Sequence, residues 1–347
     1  MLIKQAKEEI ISLRNSSVAP NIKHAKLANI SLDDLQEKAD NIHKTAKDYK
    51  VNLATQKISF TDDIQLKIGS HKFDITEHAL GQVCSTLGVP TAYMKKCIEN
   101  DKIDLFKRNI ASWSKDLDNE LCIRTNRGVA RAIVSRKYVP YDNNEVIKDI
   151  SSAIEDTEMN LISVGAYLNE DRLNLRLIDI DKPFYVKGDS SPMYFGISVT
   201  NSNIGTSSTS IKFFIYRQWC KNGCTISTGG GELYKQSHAG TQSKFMRRIN
   251  FQAAIKQMDL LRNNVEMLLQ ATQGKVLKLE EMEELIEKMK KEVTISEKAA
   301  KSIIEVAEQK YGSTKYGFIN GITEVAQEYD LDTRLQLENY AGKLIMS

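Results

Sequence analysis

LNLRLIDI at 173–180, MYFGISVTN at 193–201 and TSIKFFIYRQWC at 209–220 decide the fold class. All three are rich in β-branched and aromatic residues. The first alternates, with Leu173, Leu175 and Leu177 on one face and Asn174, Arg176 and Ile178 on the other. A period of two with this composition predicts strands that bury one face. ELCIRTN (120–126), RAIVSRKYV (131–139) and NLISVGAYL (160–168) have the same character. Between them NNEVIKDISSAIED (143–156) places Val146, Ile147, Ile150 and Ile154 at helical spacing.

Upstream, residues 1–115 mix a polar N-terminal helix, short β sections (QKISF, IQLKIGSHKFDI) and helices around TEHALGQVCSTLG and TAYMKKCIEND. Thr76 can cap the first of these helices, and Val89-Pro90 separates it from the next. Downstream, Pro192 is the last of five prolines, so long helices are permitted. Met258, Leu261, Val265 and Leu268 form one apolar seam; Leu279, Met282, Ile286, Met289 and Val293 form another, with Gly274 between them. Thr294 or Ser296 can cap a further helix, and Asp330 or Asp332 a last one. The expectation is an α+β protein in three parts: an N-terminal α/β segment (1–115), a mixed or antiparallel β-rich core (116–240) and an all-helical C-terminal region (241–347).

With 41% apolar residues in 347, the chain can build a core, which excludes wholesale disorder. The longest uncharged run, residues 190–211, is about half Ser, Thr and Asn, so no membrane partner is expected. MLIKQAKEEIISLR has acids in its first ten residues and no apolar h-region, unlike a signal peptide. Cys84, Cys97, Cys122, Cys220 and Cys224 are an odd, sparse set, as in a reducing cytoplasm.

Net charge is only +3, but it is segregated. From Leu121 to Tyr141 there are five basic residues (Arg124, Arg127, Arg131, Arg136, Lys137) and no acid. From Asn201 to Asn250, Lys212, Arg217, Lys221, Lys235, Lys244, Arg247 and Arg248 face one acid, Glu232. From residue 249 onward 13 basic residues meet 16 acidic ones. Arginine suits phosphate, and the interleaved Tyr138, Tyr141, Phe213, Phe214, Tyr216 and Trp219 offer stacking faces. Together these are the ingredients of a single-stranded nucleic-acid site. A solvated polar sheet face is the plainer alternative. The candidate contacts are Arg124, Arg127, Arg131, Arg136, Lys137, Tyr138, Arg217, Trp219, Lys221, His238, Lys244, Arg247 and Arg248.

Other chemistry finds less support. Cys220-Lys-Asn-Gly-Cys224 lacks two further nearby zinc ligands and reads as a turn over Asn222-Gly223, with both thiols reduced and no metal. Asp179 and Asp181 fall on one strand face and could share a divalent cation in a nuclease, or simply be solvated acids. Gly229-Gly230-Gly231 is followed by Glu-Leu-Tyr-Lys, which fits a flexible turn and not a P-loop. No nucleophile elbow or HExxH is present, so no catalytic residue and no cofactor are assigned.

RAIVSRKYVPYDNNEVI, ISVTNSNIGTSSTSIKFFIYRQWCKNGC, His238 and TKYGFINGITEVAQEY occur in an order that resembles the DUF932 family, over roughly residues 75–330. Arg217-Gln-Trp-Cys-Lys-Asn-Gly223 and Ser135-Arg-Lys-Tyr138 carry the resemblance most specifically. Where an acid is expected after Asn201-Ser202, this chain has Asn203. The resemblance implies a phage or plasmid protein in the bacterial cytoplasm and no reaction. Three readings follow: a nucleic-acid binder in recombination or replication, with single-stranded DNA favoured; a factor that binds and blocks or triggers a host defence protein; and a metal-dependent nuclease. Opposite charge on the β and helical zones, and seams shared with a neighbour, predict a homo-oligomer.

Overall fold

The computed structural model describes residue 27 and residues 29–218, 222–226, 231–239 and 244–347. The protein is α+β, with two six-stranded sheets and a C-terminal region that is all helix. Helix α1 (Leu32–His43) is followed by β1 (Ala46–Asn52), β2 (Ile58–Phe60), β3 (Leu66–Ile68) and β4 (His71–Ile75). Next come α2 (Glu77–Thr86), α3 (Thr91–Glu99), α4 (Ile103–Trp113), β5 (Glu120–Asn126) and β6 (Val129–Ser135). These strands form the first sheet, in the order β1-β5-β6-β4-β3-β2, with β4 and β6 parallel. Residue 115, the expected segment boundary, therefore falls inside this sheet, because β5 and β6 pair with β1 and β4 across it. Thr76 caps α2 as expected, accepting from Ala79 N at 3.2 Å. Val83, Cys84, Phe106 and Ile110 pack on Ile58, Leu66, Ile75 and Ile123 to make a separate core.

The second sheet is antiparallel throughout. It comprises β7 (Leu161–Leu168), β8 (Arg172–Phe184), β9 (Met193–Ser202), β10 (Thr209–Arg217), β11 (Asn222–Ile226) and β12 (Glu232–Gln236). Strands β11 and β12 pair in succession with the same strand, β10. Its apolar face (Leu173, Leu175, Leu177, Phe195, Phe213) is wholly buried under α5 (Asn143–Glu155) and α6 (Lys244–Gly274). On the other face Arg176 meets Glu338 of α10 (Leu331–Met346). Between α6 and α10 lie α7 (Leu279–Lys290), α8 (Glu297–Val306) and α9 (Lys315–Val325).

Ser296 and Asp330 cap the N-termini of α8 and α10, two of the expected start signals in use. Most of each apolar seam is turned inward: Met258 and Val265, like Met282, Ile286, Met289 and Val293, are buried within the chain, while Leu261 and Leu268 are half-buried and Leu279 is 51% exposed. Asn222-Gly223 is not the corner of a hairpin, since both residues sit in β11 opposite Arg217 and Tyr216. Glycine is required there by close approach, because a Cβ on Gly223 would lie 2.4 Å from the Ile215 carbonyl oxygen. Cys84, Cys97, Cys122 and Cys224 are free thiols, and burial pushes Cys224 up to about 12. Cys220 lies outside the described residues. Among the described residues no helix is long and apolar enough to cross a membrane.

Candidate functional site

The arginines expected to meet phosphate instead bind the two sheets together. Arg124, at a register shift in β5, donates to Asp142 at 2.6 Å and Asp48 at 3.1 Å, and also to the Asn203 carbonyl. Burial opposes its charge, yet Asp142 and Asp48 hold its pKa above the ordinary value. Arg131 on β6 donates to Asp171 at 2.7 Å and to the Glu170 carbonyl. Both guanidiniums are almost fully buried. Charges so placed are costly unless paired, and here both are paired, although Arg131 Nε has no hydrogen-bond partner.

Asn203 has a defined role in this network. Its Oδ1 accepts from Asn143 N at 2.8 Å, while its Nδ2 donates to the Glu170 carbonyl at 2.9 Å. An ionised aspartate could make only the accepting half of that clamp.

Burial raises the Asp171 carboxyl from 3.8 to about 6, outweighing Arg131. A raised carboxyl means that the folded state holds the proton more tightly than the unfolded chain does. Its contribution to stability is therefore present below pH 4 and lost as pH rises to 6, a change of roughly 3 kcal/mol. Urea titrations of wild type and Asp171→Asn across that window should diverge, with the variant lacking this downward slope. Parallel curves would show the assignment to be wrong.

Above the arginine network lies a groove of about 480 Å³ between the ends of the two sheets. Ser135 and Lys137 come from the end of β6, Thr206, Ser207 and Ser208 from the β9–β10 turn, and Ser237 and His238 follow β12. Strand pairing builds the site: Tyr138 bridges Ala239, and Val139 N donates to the His238 carbonyl at 2.7 Å. The His238 ring stacks on Tyr138 at 5.1 Å, and the Arg124 guanidinium lies 5.5 Å from the centre of the same tyrosine ring. Tyr138 is thus engaged by its neighbours and does not present a clear stacking face.

Two lining atoms, His238 Nε2 and Ser207 Oγ, are buried without a hydrogen-bond partner. Burial, reinforced by Arg124, holds His238 below the ordinary histidine pKa, so it is neutral at pH 7. Among the described residues no carboxylate lines the groove. Neutral hydroxyls and one exposed lysine supply donors suited to an anion, while the unpartnered nitrogen of the neutral imidazole, whose ring N–H is taken by the backbone, is an acceptor.

The remaining candidates are dispersed. Arg127 and Arg136 are exposed and lie near Glu170 (4.0 Å) and Glu120 (3.0 Å). Arg217 is at the far end of β10, about 26 Å from the groove end at 3.3 Å per residue. There it donates to both oxygens of Asp189 (2.8 and 3.0 Å) and stacks on Tyr311, while Tyr316 donates to the same carboxylate. Arg217 and Tyr316, from two stretches that carry the family resemblance, thus meet in one buried network. Arg247 lies 4.0 Å over the Tyr141 ring and 3.7 Å from Glu145. Arg248 donates to Asp156 at 2.9 Å. Trp219 and Lys221 lie outside the described residues, as does the side chain of Lys244.

Of the residues singled out in the sequence, Lys137, Tyr138 and His238 line the groove, with Arg124 beneath. The Ser and Thr hydroxyls were missed; their signal was the GTSS run (205–208) between two strands, which reads only as a loop.

Asp179 and Asp181 do not form a carboxylate pair. Asp179 is buried against Arg262 at 2.7 Å, while Asp181 is exposed and accepts from Asn160 at 3.2 Å. Among the described residues no group of three or more His, Cys, Asp or Glu side chains is placed to hold a metal ion.

The family model described as a domain of unknown function, DUF932, matches residues 130–341, and the chain belongs to that family. The match runs from β6 to α10, taking in the whole second sheet and every residue that lines the groove except Gln82. No curated protein and no solved structure matches the chain.

Proposed function

We propose that this protein binds nucleic acid through the groove, by its phosphate and sugar groups. One observation carries the reading: an acid-free groove large enough for a nucleotide, with Lys137 at its edge and His238 Nε2 and Ser207 Oγ unpartnered in its wall. Phosphate oxygens would accept from Lys137 and the groove hydroxyls, and a nucleotide hydroxyl could donate to His238 Nε2. Single-stranded DNA is the favoured ligand, because a groove of this size admits one splayed nucleotide and not a duplex. The family resemblance supports a phage or plasmid setting in a bacterial cytoplasm and does not bear on binding or on a reaction.

Fluorescence anisotropy with a labelled oligonucleotide tests this. Affinity should fall with salt, and Lys137→Ala should flatten the plot of log K against log salt by about 0.7 for the lost contact. His238→Ala should weaken binding without changing that slope at pH 7, since the imidazole is neutral. Arg136→Ala, outside the groove, should change neither quantity. Binding that is absent, or unaffected by Lys137→Ala, would overturn the reading.

A further inference from the structure

One atom in the groove wall does not suit a phosphate. The neutral His238 ring spends its N–H on the backbone at Val139 and Ser207, so Nε2 presents a lone pair and no proton. That atom is buried and has no hydrogen-bond partner. Its neighbours can all donate. Gln82 gives its Oε1 to Ile133 N at 2.7 Å, which leaves its amide N–H groups to offer. Lys137 donates only, and the serine hydroxyls serve either way. A ligand that fills the groove without a proton for Nε2 leaves a buried acceptor unpaired, at a cost in affinity.

A nucleic acid has two kinds of donor to meet it, a base N–H or a sugar hydroxyl. Proteins that read unpaired bases by their edges also hold them on a free aromatic face. Among the described residues Tyr138 is the one tyrosine, phenylalanine or tryptophan that lines the groove. Its ring is already taken by the His238 ring at 5.1 Å and the Arg124 guanidinium at 5.5 Å. Without a platform for the base, the donor is a sugar hydroxyl. An internal deoxyribose has none, because both of its oxygens are esterified to phosphate. In single-stranded DNA a sugar hydroxyl is present only where the strand ends. The size of the groove agrees. A volume of about 480 Å³ takes one nucleotide, and a terminal nucleotide enters without the strand having to leave by the other side.

We infer that the groove takes the 3′-terminal nucleotide of a DNA single strand, its phosphate at Lys137 and Ser207 Oγ and its 3′-hydroxyl donating to His238 Nε2. This rests on the nucleic-acid reading of the groove and adds an end and a polarity to it. The two halves of the site then divide the work. Lys137 and the hydroxyls hold any phosphate, whereas His238 separates a free end from a continuous strand, which brings it no proton.

Anisotropy with internally labelled oligonucleotides of one sequence, ending in a 3′-hydroxyl or a 3′-hydrogen, reads the difference. The hydroxyl strand should bind about tenfold tighter, the loss expected for one buried acceptor left unpaired. A ligated circle of the same sequence should bind like the 3′-deoxy strand. His238→Ala and His238→Phe should each bind the two linear strands equally, the second while keeping a ring against Tyr138. Each ratio is taken within one protein, so a general weakening of the site cancels. Equal binding of both ends by wild type, with Lys137→Ala still flattening the salt dependence, would overturn the end preference and leave the groove reading standing. A preference that follows base sequence, or ribose in place of the end, overturns it in the same way. Wild-type protein that binds none of these strands overturns both.

Discussion

Glu338→Ala should destabilise the protein by about 3–5 kcal/mol. Glu338 is completely buried on α10 and accepts from Arg176 through both carboxylate oxygens, Nη1 to Oε1 at 3.2 Å, and from Arg334 Nε at 2.9 Å. Arg176 in turn lies 5.0 Å over the Phe214 ring, inside the sheet-to-helix interface. Burial pulls the Arg176 pKa down, a measure of how poorly that environment tolerates an unbalanced charge. Removing the carboxylate strands the Arg176 guanidinium where water cannot reach it and leaves the partly exposed Arg334 without this partner. Single domains are stable by about 5–15 kcal/mol, so the loss is a large part of the total. The urea midpoint should drop with little change in slope. Arg176→Met together with Glu338→Leu should recover most of the loss, because a buried ion pair seldom outperforms apolar packing. A Glu338→Ala loss under about 1 kcal/mol would show that water reaches the pair.

The same residue type explains where the sequence was legible and where it was not. The second sheet could be read from Leu173, Leu175 and Leu177 because periodicity is local. The capping of α2, α8 and α10 was legible for the same reason. Strand β1 was not: AKDYKVN carries three charges, and as an edge strand it needs only one buried apolar side chain, Val51. The charge excess was also visible, but its destination was not. Arg124, Arg131 and Arg217 neutralise Asp142, Asp171 and Asp189, which lie 18 to 40 residues away in the chain. Composition counts a paired guanidinium and a free one alike, so a basic stripe in sequence became an internal lattice in space. The groove hydroxyls were hidden for the converse reason. Serine and threonine in a turn have an ordinary local role, and only the meeting of three separate segments gives them a ligand-facing one.

Arg262→Ala should carry a penalty of the same order, about 3–5 kcal/mol, and it bears on the nuclease reading of Asp179. In sequence, Asp179 and Asp181 are two carboxylates on a strand, as a metal site would require. In the fold, Asp179 is 1% exposed on β8, its Oδ2 takes Arg262 Nη2 at 2.7 Å, and its Oδ1 has no partner. Arg262 also packs 5.6 Å from the Phe195 ring and donates to the Lys182 carbonyl at 3.3 Å, which pins α6 to the sheet. Removing the arginine leaves a buried carboxylate beside an aromatic cluster with nothing to balance it. Replacing both partners, Asp179→Leu with Arg262→Met, should return most of the stability, as expected of a packing element. A divalent-metal ligand would behave differently: magnesium would raise the wild-type unfolding midpoint by mass action, and Asp179→Leu would abolish that rise. The expected result is a midpoint that does not respond to magnesium in wild type and falls sharply in Arg262→Ala. A magnesium-dependent shift lost with Asp179 would restore the metal reading, because the carboxylate would then have been held in reserve for a cation and not spent on the helix.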